Sequence, residues 1–164
     1  MKKLFKVMLF AVVVITTSKS NAQSMKSVYD SYFNLKDALV QSDEKLAAEK
    51  ANLLLNSFSK VDMKSLGEKE HQVWMKLNKD LMKIAKLISN SNDIDDQREE
   101  FSKLSVKMYD IAKSGTLSNT IYYQRCPMYK NGKGGTWLSL ESGIKNPYFG
   151  SQMLNCGKTI ETLK

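Results

Sequence analysis

Two short segments near the end of the chain hold its only two cysteines, and each segment also carries a methionine. They read Cys126-Pro-Met128 and Met153-Leu-Asn-Cys156. Thiolate and thioether sulfurs are soft ligands, and soft ligands favour soft cations such as Cu(I) and Ag(I). Two thiolates and two thioethers could surround one such ion. The sequence therefore predicts a Cu(I) or Ag(I) site formed by Cys126, Met128, Met153 and Cys156.

The same two cysteines support an alternative interpretation, a disulfide. Two cysteines in an exported protein usually pair. Closing the loop between them would stabilise the folded state by roughly 3–4 kcal/mol in the chain-entropy model. Pro127 would then fix a turn, and Met128 and Met153 would fill the core. A disulfide and a thiolate site exclude each other in one molecule, and the sequence leaves both open.

Export is itself a prediction from the first 22 residues. Three lysines precede an apolar run over residues 7–17, and small residues at Ser20 and Ala22 occupy the two positions that a signal peptidase reads. The apolar run is too short to span a bilayer, and no later run is long enough. We therefore expect a cleavable signal peptide over residues 1–22, a periplasmic mature protein and no membrane span.

The charge pattern bears on the class of partner. The whole chain has 25 basic and 17 acidic residues, for a net charge of +8. Four of the lysines lie in the predicted signal peptide, and removing them lowers the net charge to +4. The other lysines are scattered along polar helix faces, without the clustered arginines and interleaved aromatics of a nucleic-acid groove. We expect no binding to nucleic acid.

Residues for enzymatic chemistry are scarce. His71 is the only histidine, whereas a closed zinc site needs four Cys or His ligands and a catalytic triad needs a histidine beside a nucleophile. There is no G-x-S-x-G motif, and the glycine-rich residues 131–136 lack the spacing of a phosphate-binding loop. Glu141 is expected to pair with Lys145, four residues later. The sequence predicts a protein that is not an enzyme.

Four predicted helices precede the two cysteine segments and form the main part of the scaffold. Between residues 25 and 112, apolar side chains recur at steps of three and four in four segments. Ser42 and the polar run 89–93 are predicted to cap the second and fourth helices, while Gly67 and Gly115 interrupt the pattern. Four amphipathic helices with short connections predict an antiparallel up-and-down four-helix bundle.

The tail after the helices has a different character. Residues 120–125 and 158–163 are predicted strands that form a small two-stranded element, and Asn131-Gly132 is a tight-turn signal. The predicted fold is mainly α, with an irregular C-terminal tail over about 117–164 that contains this short β element. Helices and tail are expected to form one domain, residues 23–164. Three aromatic residues are expected to pack the connecting loops inward: Trp137, Tyr148 and Phe149.

Several motifs of the chain resemble an exported domain-of-unknown-function family. Members of that family occur as stand-alone proteins with signal peptides and as fusions to periplasmic adaptor subunits of copper/silver CusB-type RND efflux systems. The pattern Asp96-Gln-Arg98…Met108 on the fourth predicted helix resembles the family as well. Four motifs in the tail carry the resemblance: Tyr122-Tyr-Gln-Arg-Cys-Pro-Met128, Gly132-Lys-Gly-Gly-Thr-Trp-Leu-Ser139, Lys145-Asn-Pro-Tyr-Phe-Gly150 and Met153-Leu-Asn-Cys-Gly157.

The resemblance implies metal handling linked to heavy-metal efflux or resistance, with an efflux adaptor or another envelope protein as the partner. Family members often carry histidines near the Cys-Pro-Met motif and on the fourth helix, where this chain has Arg125 and Glu100. Their replacement favours Cu(I) or Ag(I), or no metal site at all. The expected function is non-enzymatic binding of a soft ion. The alternative is a disulfide-stapled module that docks on another envelope protein through its aromatic tail.

Overall fold

The computed structural model of this chain describes residues 21–115 and 117–164, with side chains from residue 25 onward. The predicted signal peptide lies outside the described residues except for Asn21 and Ala22, and it stays a prediction. Across the described part of the chain, no helix combines the length and the apolar character needed to cross a membrane.

Four helices make up most of the described chain, as the apolar periodicity predicts. Each helix packs against the next one in the chain. A short 3₁₀ helix, Met63–Ser65, interrupts the connection between the second and the third. The helices are α1 (Asn21–Gln41), α2 (Glu44–Ser59), α3 (Glu68–Asn90) and α4 (Ile94–Ser114).

Capping residues explain where two of the helices begin. Asp93 caps α4, since its carboxylate accepts hydrogen bonds from the second and third residues of that helix. At α2 the prediction of Ser42 as the cap is wrong by one residue. Asp43 caps this helix by accepting from the Leu46 N–H at 2.9 Å. Ser42 instead adopts a left-handed conformation with φ 56°, and its hydroxyl bonds to Arg98.

The tail forms a three-stranded antiparallel sheet rather than the predicted two-stranded element. The strands β1 (Ile121–Cys126), β2 (Gly135–Ser139) and β3 (Lys158–Leu163) pair in the order β2-β1-β3. The sequence interpretation missed β2, which follows directly on the glycine-rich turn. Trp137 lies in this strand and not in a loop, although its predicted inward packing is confirmed because it is fully buried.

Tyr32 of α1 links the helices to the sheet. Its ring is fully buried and stacks on Phe101 of α4, with ring centres 5.4 Å apart. Its hydroxyl lies 2.8 Å from the Ser105 hydroxyl and accepts the backbone N–H of Leu138 in β2 at 3.1 Å. A buried N–H without a partner is unfavourable, so this hydroxyl fixes where β2 docks on the helices.

Arg98 of α4 makes a second link, to the segment that precedes β3. Its buried guanidinium donates to the carbonyl of Pro147 at 3.0 Å, to the Ser42 hydroxyl at 2.9 Å and to the Leu39 carbonyl at 3.4 Å. Gly150 lies beside this cluster with φ 54°, and a Cβ there would come within 2.4 Å of the Ser42 hydroxyl. Glycine is therefore required where the tail crosses the α1–α2 turn.

Candidate functional site

The register of the sheet brings the two cysteines together. β1 and β3 are antiparallel, and Arg125 pairs with Lys158. Cys126, the last residue of β1, therefore lies beside the segment that enters β3, and that segment contains Cys156. The two Sγ atoms are 2.9 Å apart, and both cysteines are free thiols in the structure.

A close approach of two backbones makes this pairing possible. Gly157, next to Cys156, has φ 142°. A Cβ at this position would lie 3.0 Å from the carbonyl oxygen of Arg125 and 3.0 Å from the Trp137 ring. Only glycine fits without displacing one of them, so the residue after Cys156 lets the loop pass against β1. The position of Cys156 beside β1 thus depends on Gly157, the residue that follows it.

Both methionine segments meet at Cys156 through their backbones. The Met128 backbone hydrogen-bonds to the Cys156 thiol, and the Cys156 N–H donates to the Met153 carbonyl at 3.0 Å. The fully buried Asn146 holds the loop from the inside, because its amide donates to the Cys156 carbonyl at 2.8 Å. Its own N–H donates to the Leu154 carbonyl at 2.9 Å. The loop before β3 is therefore fixed by hydrogen bonds on both sides of the thiol.

The two methionine side chains lie at the surface. Met128 is 60 % exposed and Met153 is 38 % exposed, whereas Cys126 is fully buried. The disulfide interpretation expected both methionines to fill the core, and on this point it is wrong. Exposed thioethers beside a thiol pair are accessible to an ion or to a partner. The structure thus places all four predicted site residues in two adjoining segments, with the methionine side chains facing solvent.

Other ligand types contribute little in this region. Among residues 21–115 and 117–164, no group of three or more His, Cys, Asp or Glu side chains is arranged to hold a metal ion. Glu141 forms the predicted ion pair with Lys145 at 2.7 Å, and this pair lowers the pKa of its carboxyl. A metal ion at the thiol pair would therefore depend on sulfur ligands.

The thiol of Cys156 is less acidic than an ordinary cysteine. The hydrogen bond with Cys126 is the largest cause of its raised pKa, and partial burial adds to the effect. A raised pKa leaves less thiolate at neutral pH, and the thiolate is the reactive form.

We expect the Cys126→Ala substitution to increase the rate at which iodoacetamide alkylates Cys156 at neutral pH. The substitution removes the largest cause of the raised pKa, so the thiolate fraction rises. Alkylation rates of reduced protein measured across pH should show the Cys156 titration shifted to lower pH. An unchanged titration would mean that Cys126 does not control this thiol.

Comparison with known proteins identifies a family but no function. No curated protein and no solved structure matches the chain. The sequence model of one family, described as a protein of unknown function (DUF3347), matches residues 28–120. This match covers more than half of the chain, from α1 to the residue before β1, and it ends before the tail motifs. The chain therefore belongs to the DUF3347 family of proteins of unknown function.

Proposed function

We propose that this protein binds Cu(I) or Ag(I) in the periplasm and serves heavy-metal resistance or efflux. Cys126 and Cys156 act as thiolate ligands, and Met128 and Met153 act as thioether donors. One observation carries the proposal: the two thiols are in contact, and the methionines beside them are exposed rather than buried. Soft sulfur donors in this number favour a soft monovalent ion over zinc or a hard cation.

Binding requires a small opening of the thiol pair. Two thiolates that share a tetrahedral ion at about 2.3 Å lie about 3.8 Å apart. The observed separation is 2.9 Å, so the sulfurs must move apart by about 0.9 Å to reach that spacing. Cys126 is held in β1 and fully buried, whereas Cys156 lies in a loop and is partly exposed. We therefore assign the movement to the Cys156 side chain, because hydrogen bonds hold the backbone of its loop.

The scaffold and the partner complete the proposal. We propose that the four helices form the antiparallel bundle expected from the sequence and that the sheet presents the sulfur site at one side. The resemblance to proteins fused to efflux adaptors supports an adaptor or another envelope protein as the partner. Methionine side chains exposed to solvent suit such a role, because the ligands of a partner can approach the ion directly.

A competition titration tests this proposal. Reduced protein is titrated with Cu(I) against a competing chelator, and we expect Cys126→Ser and Cys156→Ser each to abolish competition. The double variant Met128→Leu, Met153→Leu should weaken binding by about tenfold or more. Loss of a residue that only hydrogen-bonds to a metal ligand already lowers metal affinity by about that factor. Met75→Leu is the matched control, since Met75 is 53 % exposed on α3 and lies outside the site. Binding that survives Cys126→Ser would refute the proposal.

A second candidate is the disulfide-stapled interaction module. The observed separation of the sulfurs is about as far from the disulfide distance as it is from the spacing needed for a metal ion. A disulfide requires about 2.05 Å between the sulfurs, so closure from 2.9 Å is a movement of about 0.9 Å. An oxidising compartment would drive that closure. Protein exported in cells and alkylated during lysis in denaturant with a Cu(I) chelator, which frees any metal-bound thiolates, distinguishes the two states by mass. Two alkyl groups per chain support the metal proposal, and none supports the staple.

A further inference from the structure

A cavity of about 250 Å³ lies near the first residue of β1, away from the thiol pair at the end of that strand. The span of β1 from Ile121 to Cys126 separates the two places by about 17 Å. The cavity opens between the start of α1, the start of α3 and β1. Its apolar walls include Met25, Phe33, Leu66, Ile121 and Leu140.

Tyr29 contributes its aromatic ring to the wall of this cavity. Its hydroxyl is inaccessible to solvent and has no hydrogen-bond partner, while its ring stacks on Phe33 at 6.5 Å. A buried hydroxyl left without a partner costs about 1–3 kcal/mol. Burial raises the pKa of Tyr29, so the group stays protonated and can both donate and accept. The hydroxyl is not exposed to the cavity, so a bound molecule contacts the ring of Tyr29 and not its oxygen.

Glu70 contributes the charge that faces the same space. Its carboxylate receives a hydrogen bond from the Gly67 backbone, as expected for the third residue of α3, and this bond has a structural role at the helix start. The side chain lies against Gly115, where an added Cβ would clash with the carboxylate. Burial raises the pKa of Glu70 despite the bond from Gly67. A cation inside the cavity would favour its charged form.

The remaining charges of the lining cancel. Lys26 and Asp30 form an exposed ion pair at 2.5 Å, so Glu70 leaves the cavity with one net negative charge. The volume is below the roughly 300–1,000 Å³ of pockets for drug-sized ligands, so the ligand must be smaller. The rings of Tyr29 and Phe33 favour an aromatic body, and a cation close to such a ring is stabilised further.

We propose that this cavity binds a small arylalkylamine. The apolar body lies against Phe33, the ring of Tyr29 and the aliphatic walls, and the ammonium group donates to the Glu70 carboxylate. The site shares no residue with the thiol pair, so amine binding can be tested independently of metal binding.

Calorimetric titration with phenethylamine tests the site, with 2-phenylethanol as a neutral probe of the same shape. We expect the amine to bind about tenfold or more tightly than the alcohol, the usual advantage of a charged hydrogen bond. Glu70→Gln keeps the capping geometry of α3 but should abolish that preference. Glu68→Gln, on the same helical turn but outside the lining, is the matched control and should bind like the unchanged protein.

A second readout follows the Glu70 carboxyl by NMR. Its pKa should fall when phenethylamine is bound, because the ammonium favours the carboxylate. A cavity that holds only water would show no saturable binding of the amine, and this result would overturn the proposal. Equal affinities for the amine and the alcohol, or an unchanged preference in Glu70→Gln, would overturn it as well.

Discussion

Replacing Arg98 with methionine is expected to lower the free energy of unfolding by about 2–4 kcal/mol, because a buried acceptor that loses its charged donor costs about 1–3 kcal/mol and the lost bonds to the other acceptors add to this. The buried carbonyl of Pro147 loses its charged donor, the carbonyl of Leu39 keeps the Ser42 N–H as a second donor, and the hydroxyl of Ser42 belongs to an exposed residue. Methionine has a similar length but no donor. The ion pair of Arg98 with Asp95 is 3.4 Å long and Asp95 is exposed, so it adds little.

Urea unfolding of purified variants measures this effect. Lys103→Met is the matched control on the same helix, since the exposed Lys103 pairs with the exposed Glu99 and the partly exposed Glu100, and its loss should change stability by less than about 1 kcal/mol. Arg98→Lys should resemble Arg98→Met, because a single ammonium group cannot reproduce the planar fork of donors. An Arg98→Met protein as stable as the control would show that these hydrogen bonds do not hold the tail in place.

Oxidation of the thiol pair is expected to stabilise the protein by roughly 3–4 kcal/mol, as loop closure between Cys126 and Cys156 restricts the unfolded chain. For a chain of this length the midpoint of thermal unfolding should rise by about 10 °C. The 2.9 Å between the sulfurs means that little rearrangement of the folded state is needed to form the bond. Oxidised protein should also fail to compete for Cu(I), because its thiolates are consumed.

Calorimetric scans of oxidised and reduced samples check this prediction. A Cys126→Ser, Cys156→Ser double variant provides the control, since its unfolding midpoint should not depend on the reductant. Identical midpoints for oxidised and reduced protein of the original sequence would contradict the expectation. Identical midpoints would mean that the disulfide does not form, or that the strain it introduces into the folded loop offsets the stabilisation gained by restricting the unfolded chain.

The helices could be predicted from the sequence because their signal is local. Apolar residues at steps of three and four lie on one face, and the structure buries that face in each helix. A one-residue error at the α2 cap arose because Ser42 and Asp43 are both good capping residues. Only the distant contact with Arg98 explains why Ser42 is engaged elsewhere.

Strand β2 could not be predicted from its pattern. Trp137, Leu138 and Ser139 are consecutive and all buried, so the strand is covered on both faces and shows no alternation. The glycines before it suggest a loop. Its position depends instead on the hydroxyl of Tyr32, which is more than a hundred residues away in the chain.

The candidate thiol site was predictable in its members but not in its geometry. The residue types identify Cys126 and Cys156 as partners, yet their separation follows from the strand register and from Gly157. The exposure of Met128 and Met153 could not be inferred, because methionine fills cores as readily as surfaces. The cavity around Tyr29 left no sequence signal, since it forms where α1, α3 and β1 meet.

The family match ends at residue 120, but the packing does not end there. Phe101 lies 6.0 Å from the ring of Tyr148, Tyr32 bonds to Leu138, and Arg98 bonds to Pro147. A gene fusion or an engineered graft that carried only residues 28–120 would lack the sheet, and the aromatic side chains of the helices that pack against it would be exposed to solvent. The smallest segment expected to fold when it is moved to another protein therefore runs from α1 through β3. A protein truncated before β1 should be insoluble.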